Sequence, residues 1–433
     1  MKTLKQTDNA KRPANWLCAL VFMGLILFNT TKAQDLPKLI NDALLSHPSI
    51  ASQRAQAQAA EIGIETAKWQ YFPTPSVSTE RVNAVQGDPL YNGDKSVTTV
   101  RLQQPLWTNG RLTAGKEKAQ ATLAYETADL NETSLQISLK VAQAYADLLA
   151  SYWRMQSTEQ SLAVHQKLRA QVQRRVDLGA QSDADLQLAQ TRLDSIKAEL
   201  SAIRARVESN AVRLKQLIGK PFKVDELLSS LSKPVTIKVT QESALDAALA
   251  LNPSIQKARA QSRIQDAIVE EGRAALLPEV YVRAERQYGI YSMVSSSTFQ
   301  DRFFVGLSTQ LGAGLSVLSN VKAAQAKSLA AKEEVQAQTL AISEQVLTDY
   351  AQAERLLEQT QALESALTSQ EQVMYSHDRQ FLAGRKSWTE VLNAARELAQ
   401  AQAQLSDIKA NHIAVSWRLG LYVKGLDIVN NNP

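Results

Sequence analysis

The sequence predicts a mainly α-helical membrane protein built from two copies of one unit. Three observations predict it: helical stretches far beyond globular length, a hydrophobic seam that recurs at a fixed offset of 205 residues, and a pair of short amphipathic strands in each copy. Lys116–Leu178 contains neither Gly nor Pro, and Ala180–Ile218 is equally free of them. At 1.5 Å per residue the first stretch reaches roughly 95 Å. The second carries Leu186, Ala189, Leu193, Ile196, Leu200, Ile203, Val207, Asn210 and Leu214 in alternating steps of three and four. That spacing is the 3.5-residue period of a left-handed coiled coil.

Moved by 205 residues, the seam falls on Val391, Ala394, Leu398, Ala401, Leu405, Ile408, His412, Val415 and Leu419. Each seam holds one polar residue, Asn210 in the first and His412 in the second, of the kind that fixes register at some cost in stability. The same offset relates Gly179 to Gly384, Pro48 to Pro253, Ile50 to Ile255 and Pro73 to Pro278. An ungapped match of this extent is a tandem duplication.

The N-terminus has the pattern of a cleaved export signal. Lys2, Lys5, Lys11 and Arg12 precede the apolar run Trp16–Phe28, and small residues surround position 33. Thirteen apolar residues are too few for a membrane span, which needs about 20. Cys18, the only cysteine, lies inside that run, so the mature chain is expected to have neither disulfides nor Cys-ligated metal. Residues 1–33 carry five basic residues and one acid, so of the net +5 only about +1 belongs to the mature chain. A nearly neutral exported chain lacks the basic footprint of a nucleic-acid partner. No later apolar run is long enough for a membrane helix, so a membrane would have to be crossed by strands.

In order, the chain divides into a leader (1–33), a first repeat (34–221), a linker (222–242), a second repeat (243–424) and a disordered tail (425–433). The first repeat opens with short helices over 36–46 and 48–71, stopped by Pro73 and Pro75. Strands follow at 74–85 and 96–107, then long helices at 112–178 and 182–218. The second repeat has strands at 279–290 and 300–311 and long helices at 315–382 and 387–423. Val280, Val282 and Ala284 alternate with Tyr281, Arg283 and Glu285; Phe303, Val305 and Leu307 alternate with Phe304, Gly306 and Ser308. Val100, Leu102 and Leu106 alternate with Thr99, Arg101 and Gln103 in the same way. Strands of about ten residues with one apolar face fit a transmembrane β-barrel, and equally an ordinary half-buried hairpin. Aromatic residues near strand ends (Tyr71, Phe72, Trp107, Phe299) suit an interfacial girdle. Four strands cannot close a barrel, because open edges are not tolerated in lipid, so several chains must pool theirs.

These features together resemble the TolC-type outer-membrane channels, the outer-membrane factors of efflux pumps and type I secretion systems. The resemblance rests on His47-Pro48-Ser49-Ile50 and Asn252-Pro253-Ser254-Ile255, on Phe72-Pro73 and Leu277-Pro278, and on two hairpin tips. The tips are Gly179, Asp185, Ala189 and Gly384, Glu390, Ala394. The resemblance implies a homotrimer in the outer membrane of a Gram-negative-type cell, extending into the periplasm. Each chain would give four strands to a twelve-stranded transmembrane β-barrel, continued by a periplasmic coiled-coil barrel of α-helices with the linker as an equatorial belt. It implies a passive duct without catalytic residues, metal or cofactor, opened by an inner-membrane transporter, ATP-binding cassette or proton-driven, together with a periplasmic adaptor protein. Gly179 and Gly384 would turn the hairpins, and Asp183, Asp185, Arg385, Lys386, Glu390 and Asn393 would form the periplasmic entrance. Lys386 would link to Asp185 across the hairpins, and Asn393 stands where the family has a second acid. Trp388 would meet the adaptor, and Arg101, Arg283, Glu285 and Arg286 would face the pore.

Ser182-x-x-Asp185 and Ser387-x-x-Glu390 also read as helix capping boxes, and both roles stay open. The lack of a lipid-modified Cys leans the reading toward type I protein secretion, with small-molecule efflux as the alternative. A periplasmic adaptor is the alternative of another class, although a doubled unit with strand pairs between its helices is not what an adaptor would show.

Overall fold

The structure, a computed structural model, describes residues 35–81, 93–222, 224, 227, 234–235, 239–291, 299–309 and 316–430. The leader, most of the strand-pair tips (86–92 and 292–298), the strand ends at 82–85 and 310–311, and most of the linker lie outside the described residues.

Two short helices, α1 (Leu36–Ser46) and α2 (Pro48–Trp69), lead into β1 (Thr74–Arg81) and β2 (Ser96–Trp107), followed by α3 (Arg111–Asp177) and α4 (Asp183–Ile218). The second copy runs α5 (Gln241–Leu251), α6 (Pro253–Ala274), β3 (Glu279–Tyr288), β4 (Phe299–Ser308), α7 (Ser316–Leu382) and α8 (Trp388–Lys424). The bounds of α1, α2 and α3 recur 205 residues later in α5, α6 and α7. Pro48 and Pro253 stand at the first helical position, where a missing N–H costs nothing, after the side-chain caps His47 and Asn252. At 67 residues each, α3 and α7 extend about 100 Å.

The return helices bury the seam read from the sequence. Ala189, Leu193, Leu200, Ile203, Val207 and Leu214 of α4 are buried, and so are Val391, Ala394, Leu405, Val415 and Leu419 of α8. Asn210 ties α4 to α3 by donating to the Asp147 carbonyl (3.0 Å) and to Ser151 Oγ (3.2 Å). The largest core lies midway along the helices, where Leu36, Leu39 and Ile40 of α1 meet Tyr145, Leu148 and Leu149 of α3, Leu214 and Ile218 of α4, and Trp417 of α8. Beside it Asp349 of α7, with no exposed side-chain surface, takes two hydrogen bonds from the Arg418 guanidinium.

The tail departs from the expectation of disorder. Residues Asp427–Asn430 form a short helix, α9, whose Ile428 and Val429 join the main core. Gly420 permits this, because a Cβ there would stand 2.7 Å from Ile428 Cδ1. Two β-branched residues one turn past α8 had enough apolar surface to dock.

The four strands form one antiparallel sheet in sequence order, with β1 and β4 as its edges among the described residues. A bulge between Pro105 and Trp107 accommodates the proline, which has no N–H to give the ladder. One face carries Val77, Val100, Leu102, Val282, Phe303, Val305 and Leu307; the other carries Ser76, Thr99, Arg101, Gln103, Arg283, Glu285 and Arg302. Among the described residues nothing covers the apolar face: Phe303 is 84%, Val305 80% and Val77 70% exposed.

Candidate functional site: the helix-hairpin tips

Both long hairpins turn through the same device. After α3 the Gly179 N–H donates to the Val176 carbonyl and the Ala180 N–H to Arg175, both at 2.8 Å. After α7 the Gly384 N–H donates to Phe381 (3.0 Å) and the Arg385 N–H to Gln380 (2.9 Å). This Schellman closure requires a left-handed residue, and Gly179 (φ +70°) and Gly384 (φ +72°) adopt that conformation without a Cβ clash.

The return helices begin on serine caps, and the two acids separate in role. Glu390 completes a capping box: its N–H donates to Ser387 Oγ (3.4 Å), and its Oε2 accepts from the Ser387 N–H (2.9 Å). Its Oε1 accepts from Lys386 Nζ at 2.7 Å. Lys386 first, and then Ser387, hold the Glu390 carboxyl down at about 2. Asp185 is also tied to its cap: its N–H lies 3.3 Å from Ser182 Oγ, and its Oδ2 accepts from the Ser182 hydroxyl at 2.8 Å. Its Oδ1 reaches across to the other hairpin and accepts from Trp388 Nε1 at 2.8 Å. That indole bond first, and the Ser182 hydroxyl second, keep Asp185 below the usual carboxylate range.

Two expectations are thereby corrected. Lys386 does not link to Asp185; it stands in the turn just before the Ser387 cap, and Glu390 in the first turn of α8 captures its ammonium locally. Trp388 is no exposed docking residue, being only 4% exposed in a cluster with Val172, Phe381, Val391 and Leu392. It is Trp388, not Lys386, that joins the hairpins at Asp185. The sequence did hold a signal, since Trp388 stands one seam step before Val391. Asp183, Arg385 and Asn393 are exposed at the tips, and Asn393 lines an open groove with His165, Arg192 and Arg396.

Further cross-hairpin contacts escaped the sequence reading. Arg175 Nη2 donates to the Phe381 carbonyl (2.5 Å), and its guanidinium lies 4.1 Å from the centre of the Phe381 ring. Lys167 Nζ pairs with Asp378 at 2.8 Å. Neither has a local motif, because each pairs residues more than 200 positions apart.

Of the residues expected to line a pore, Arg101, Arg283 and Glu285 share the polar face of the sheet, with Glu285 Oε1 2.6 Å from Arg101 Nε and 3.0 Å from Arg283 Nε. Arg286 does not. It follows Glu285 directly, so the two-residue pleat turns it to the apolar face. There it lies opposite Val100 and forms a two-bond pair with Asp301, 2.6 Å for each bond, near the tip end of the strands.

The model of the outer membrane efflux protein family matches residues 39–220 and 244–419. The alkaline protease secretion protein AprF of Pseudomonas aeruginosa is 23% identical over 77% of this chain and 70% of its own. The nickel and cobalt resistance protein CnrC of Cupriavidus metallidurans is 26% identical over 64% of this chain and 66% of its own. Among solved structures, the outer membrane protein VceC of Vibrio cholerae superposes with a TM-score of 0.76 at 19% identity, covering 90% of this chain and 96% of that one. With both repeats matched, with four strands per chain and two long hairpins in place, the chain belongs to the outer membrane efflux protein family of TolC-type channels: an outer-membrane transport protein that extends into the periplasm, and not an enzyme.

Proposed function

We propose that three copies of the chain assemble into a closed passive duct for small molecules, opened at its helix-hairpin tips by an inner-membrane transporter with a periplasmic adaptor. The observation that carries this reading is the sheet. Its outward face is apolar and, among the described residues, bare, with Leu307 at 67% exposure beside Val305 and Phe303, and neither edge has a partner strand among them. Such a sheet is stable in lipid only when its edges close. β2, β3 and β4, at 12, 10 and 10 residues, have the length of a tilted membrane-spanning strand, about 9–11 residues. The helices also want neighbours: Leu318, Leu329 and Leu340 follow one another at 11-residue intervals along α7 and stay about half or more exposed in the single chain. An 11-residue spacing keeps a stripe on one side of a helix, as a helix packed lengthwise against another chain requires.

Efflux is preferred over protein secretion as the finer reading. The matched family is described by efflux, and CnrC is named for metal resistance. AprF, named for protease secretion, supports the polypeptide reading to which the sequence leaned, and that remains the second one. The adaptor alternative falls with the family assignment. At the tips, the Trp388–Asp185 bond, the Arg175–Phe381 contact and the Lys167–Asp378 pair hold the two hairpins of one chain together, and opening would release them. The test is reconstitution in planar bilayers with the detergent-extracted protein. Trimers that conduct, with larger conductance when Asp185 or Trp388 is altered, support the duct; a protein that extracts as a water-soluble monomer and never conducts overturns it.

A further inference from the structure

We infer that the barrel lumen carries a cationic belt that favours anions, formed where Arg101, Arg283 and Arg302 surround the single carboxylate of Glu285. This rests on the duct reading above, because it takes the polar face of the sheet as the lumen.

The strand register places Ser76, Arg101, Glu285 and Arg302 in one row across all four strands, each the direct neighbour of the next. The adjacent row, toward the helices, holds Gln103, Arg283 and Phe304. Three guanidinium groups thus stand within two rows of the sheet against one carboxylate. Arg101 and Arg283 share Glu285 Oε1, at 2.6 and 3.0 Å, so that one acid offsets one of the two. Arg302 bonds the Gln300 amide oxygen, and no carboxylate pairs with it among the described residues. The remaining excess is two positive charges per chain, and six for three chains.

The other described acids on this face do not cancel it. Glu80 lies four residues along β1 from Ser76, about 13 Å away, and accepts from the Tyr291 hydroxyl. Glu279, at the opposite end, is taken up by Arg111. The belt is also held in place. The Arg283 guanidinium lies 4.5 Å from the centre of the Phe304 ring and 5.8 Å from that of Tyr281. Tyr281 in turn reaches over Gly306, where any Cβ would overlap its ring. Only glycine at that position lets the tyrosine support the arginine.

The geometry decides how far the charge is felt. Twelve strands about 4.8 Å apart and tilted by about 40° close at a backbone radius of about 12 Å. Arginine side chains reach inward from that wall, so the whole lumen falls within one Debye length at 0.1 M salt (about 10 Å), though not at 1 M (about 3 Å). The expected behaviour is an anion preference of at least about threefold at 0.1 M that fades at 1 M.

The test uses trimers reconstituted in planar bilayers. The water-soluble helices cannot cross, so the chamber opposite the side of addition faces the barrel. Millimolar tripolyphosphate added to that chamber at 0.1 M KCl should block the current in a voltage-dependent manner, and much less when added on the helix side. Arg302→Gln should weaken the block severalfold, and Arg101→Gln/Arg302→Gln should abolish it while single-channel conductance at 1 M KCl stays near wild type. Equal block in wild type and double variant, no block from either side, or stronger block by spermine than by tripolyphosphate would overturn the belt while leaving the duct intact. A protein that forms no channels at all would count against the duct itself, and the inference would fall with it.

Discussion

The Trp388–Asp185 bond offers the sharpest test of how the tips are held. Replacing Trp388 by Phe removes one N–H donated to a carboxylate at 2.8 Å. Such charge-assisted bonds contribute about 1.5–3 kcal/mol when shielded. Here one end is shielded and the other wet: the indole is buried, while the Asp185 carboxylate stands in water, so about 1 kcal/mol per chain is the appropriate scale. If three tips open together, the loss is about 3 kcal/mol and the open population rises roughly 100-fold. Phe also leaves space that the indole filled, and this packing loss is separated by a double-mutant cycle. Asp185→Ala removes the acceptor while leaving Trp388 whole and the Ser182 cap oxygen in place. The assay is open probability and conductance in planar bilayers. Both single variants should open the channel, and the double variant should open it hardly more than either one, since the shared bond can be lost only once. Wild-type gating in both singles, or effects that simply add, would refute the link.

Acidification should act through the same bond. The folded pKa of Asp185 is depressed, so its contribution is complete above the unfolded value near 3.8 and disappears as pH falls through the folded value; channel openings should increase only well below pH 4. Lys386→Ala should change conductance less than about twofold, because its partner Glu390 is an exposed residue only four positions away in the same hairpin. Gly179→Ala and Gly384→Ala meet no neighbouring atom, so each should cost only the left-handed conformation, about 1–2 kcal/mol, seen as a lower melting temperature. Arg418→Met leaves Asp349 charged and buried, and should destabilise by about 3–5 kcal/mol in thermal unfolding. Asp349→Leu/Arg418→Met should recover most of that loss, and failure to recover would mean the pair is not the cause.

What the sequence disclosed follows from the range of the interactions. Gly179, Gly384, Ser182 and Ser387 act on residues within one helical turn, and their roles stand in the local pattern. The seam of α4 and α8 is likewise periodic, and it is buried. Lys386 goes to Glu390 rather than Asp185 because a charge pair four residues apart forms without ordering a second hairpin, whereas Trp388, an indole on the seam, is drawn inward rather than left for an adaptor. Arg286 was misplaced although the pleat forbids it to share a face with Glu285, so parity alone would have corrected it. Arg175, Lys167 and Asp349 could not be read in advance. Each depends on packing between two helices, and although Arg213, the 205-residue copy of Arg418, also pairs with an acid of its partner helix, the copy of Asp349 is Ala144, so the duplication does not point to Asp349.

The central claim is that the β1 edge of one chain pairs with the β4 edge of another. A Val77→Cys/Val305→Cys chain treated in membranes with a short bismaleimide tests it directly, since each cysteine stands on one of the two edge strands. The account predicts covalent trimers on denaturing gels and none from either single-cysteine chain. Chains that remain monomeric, or that link only β1 to β4 of the same molecule, would contradict it.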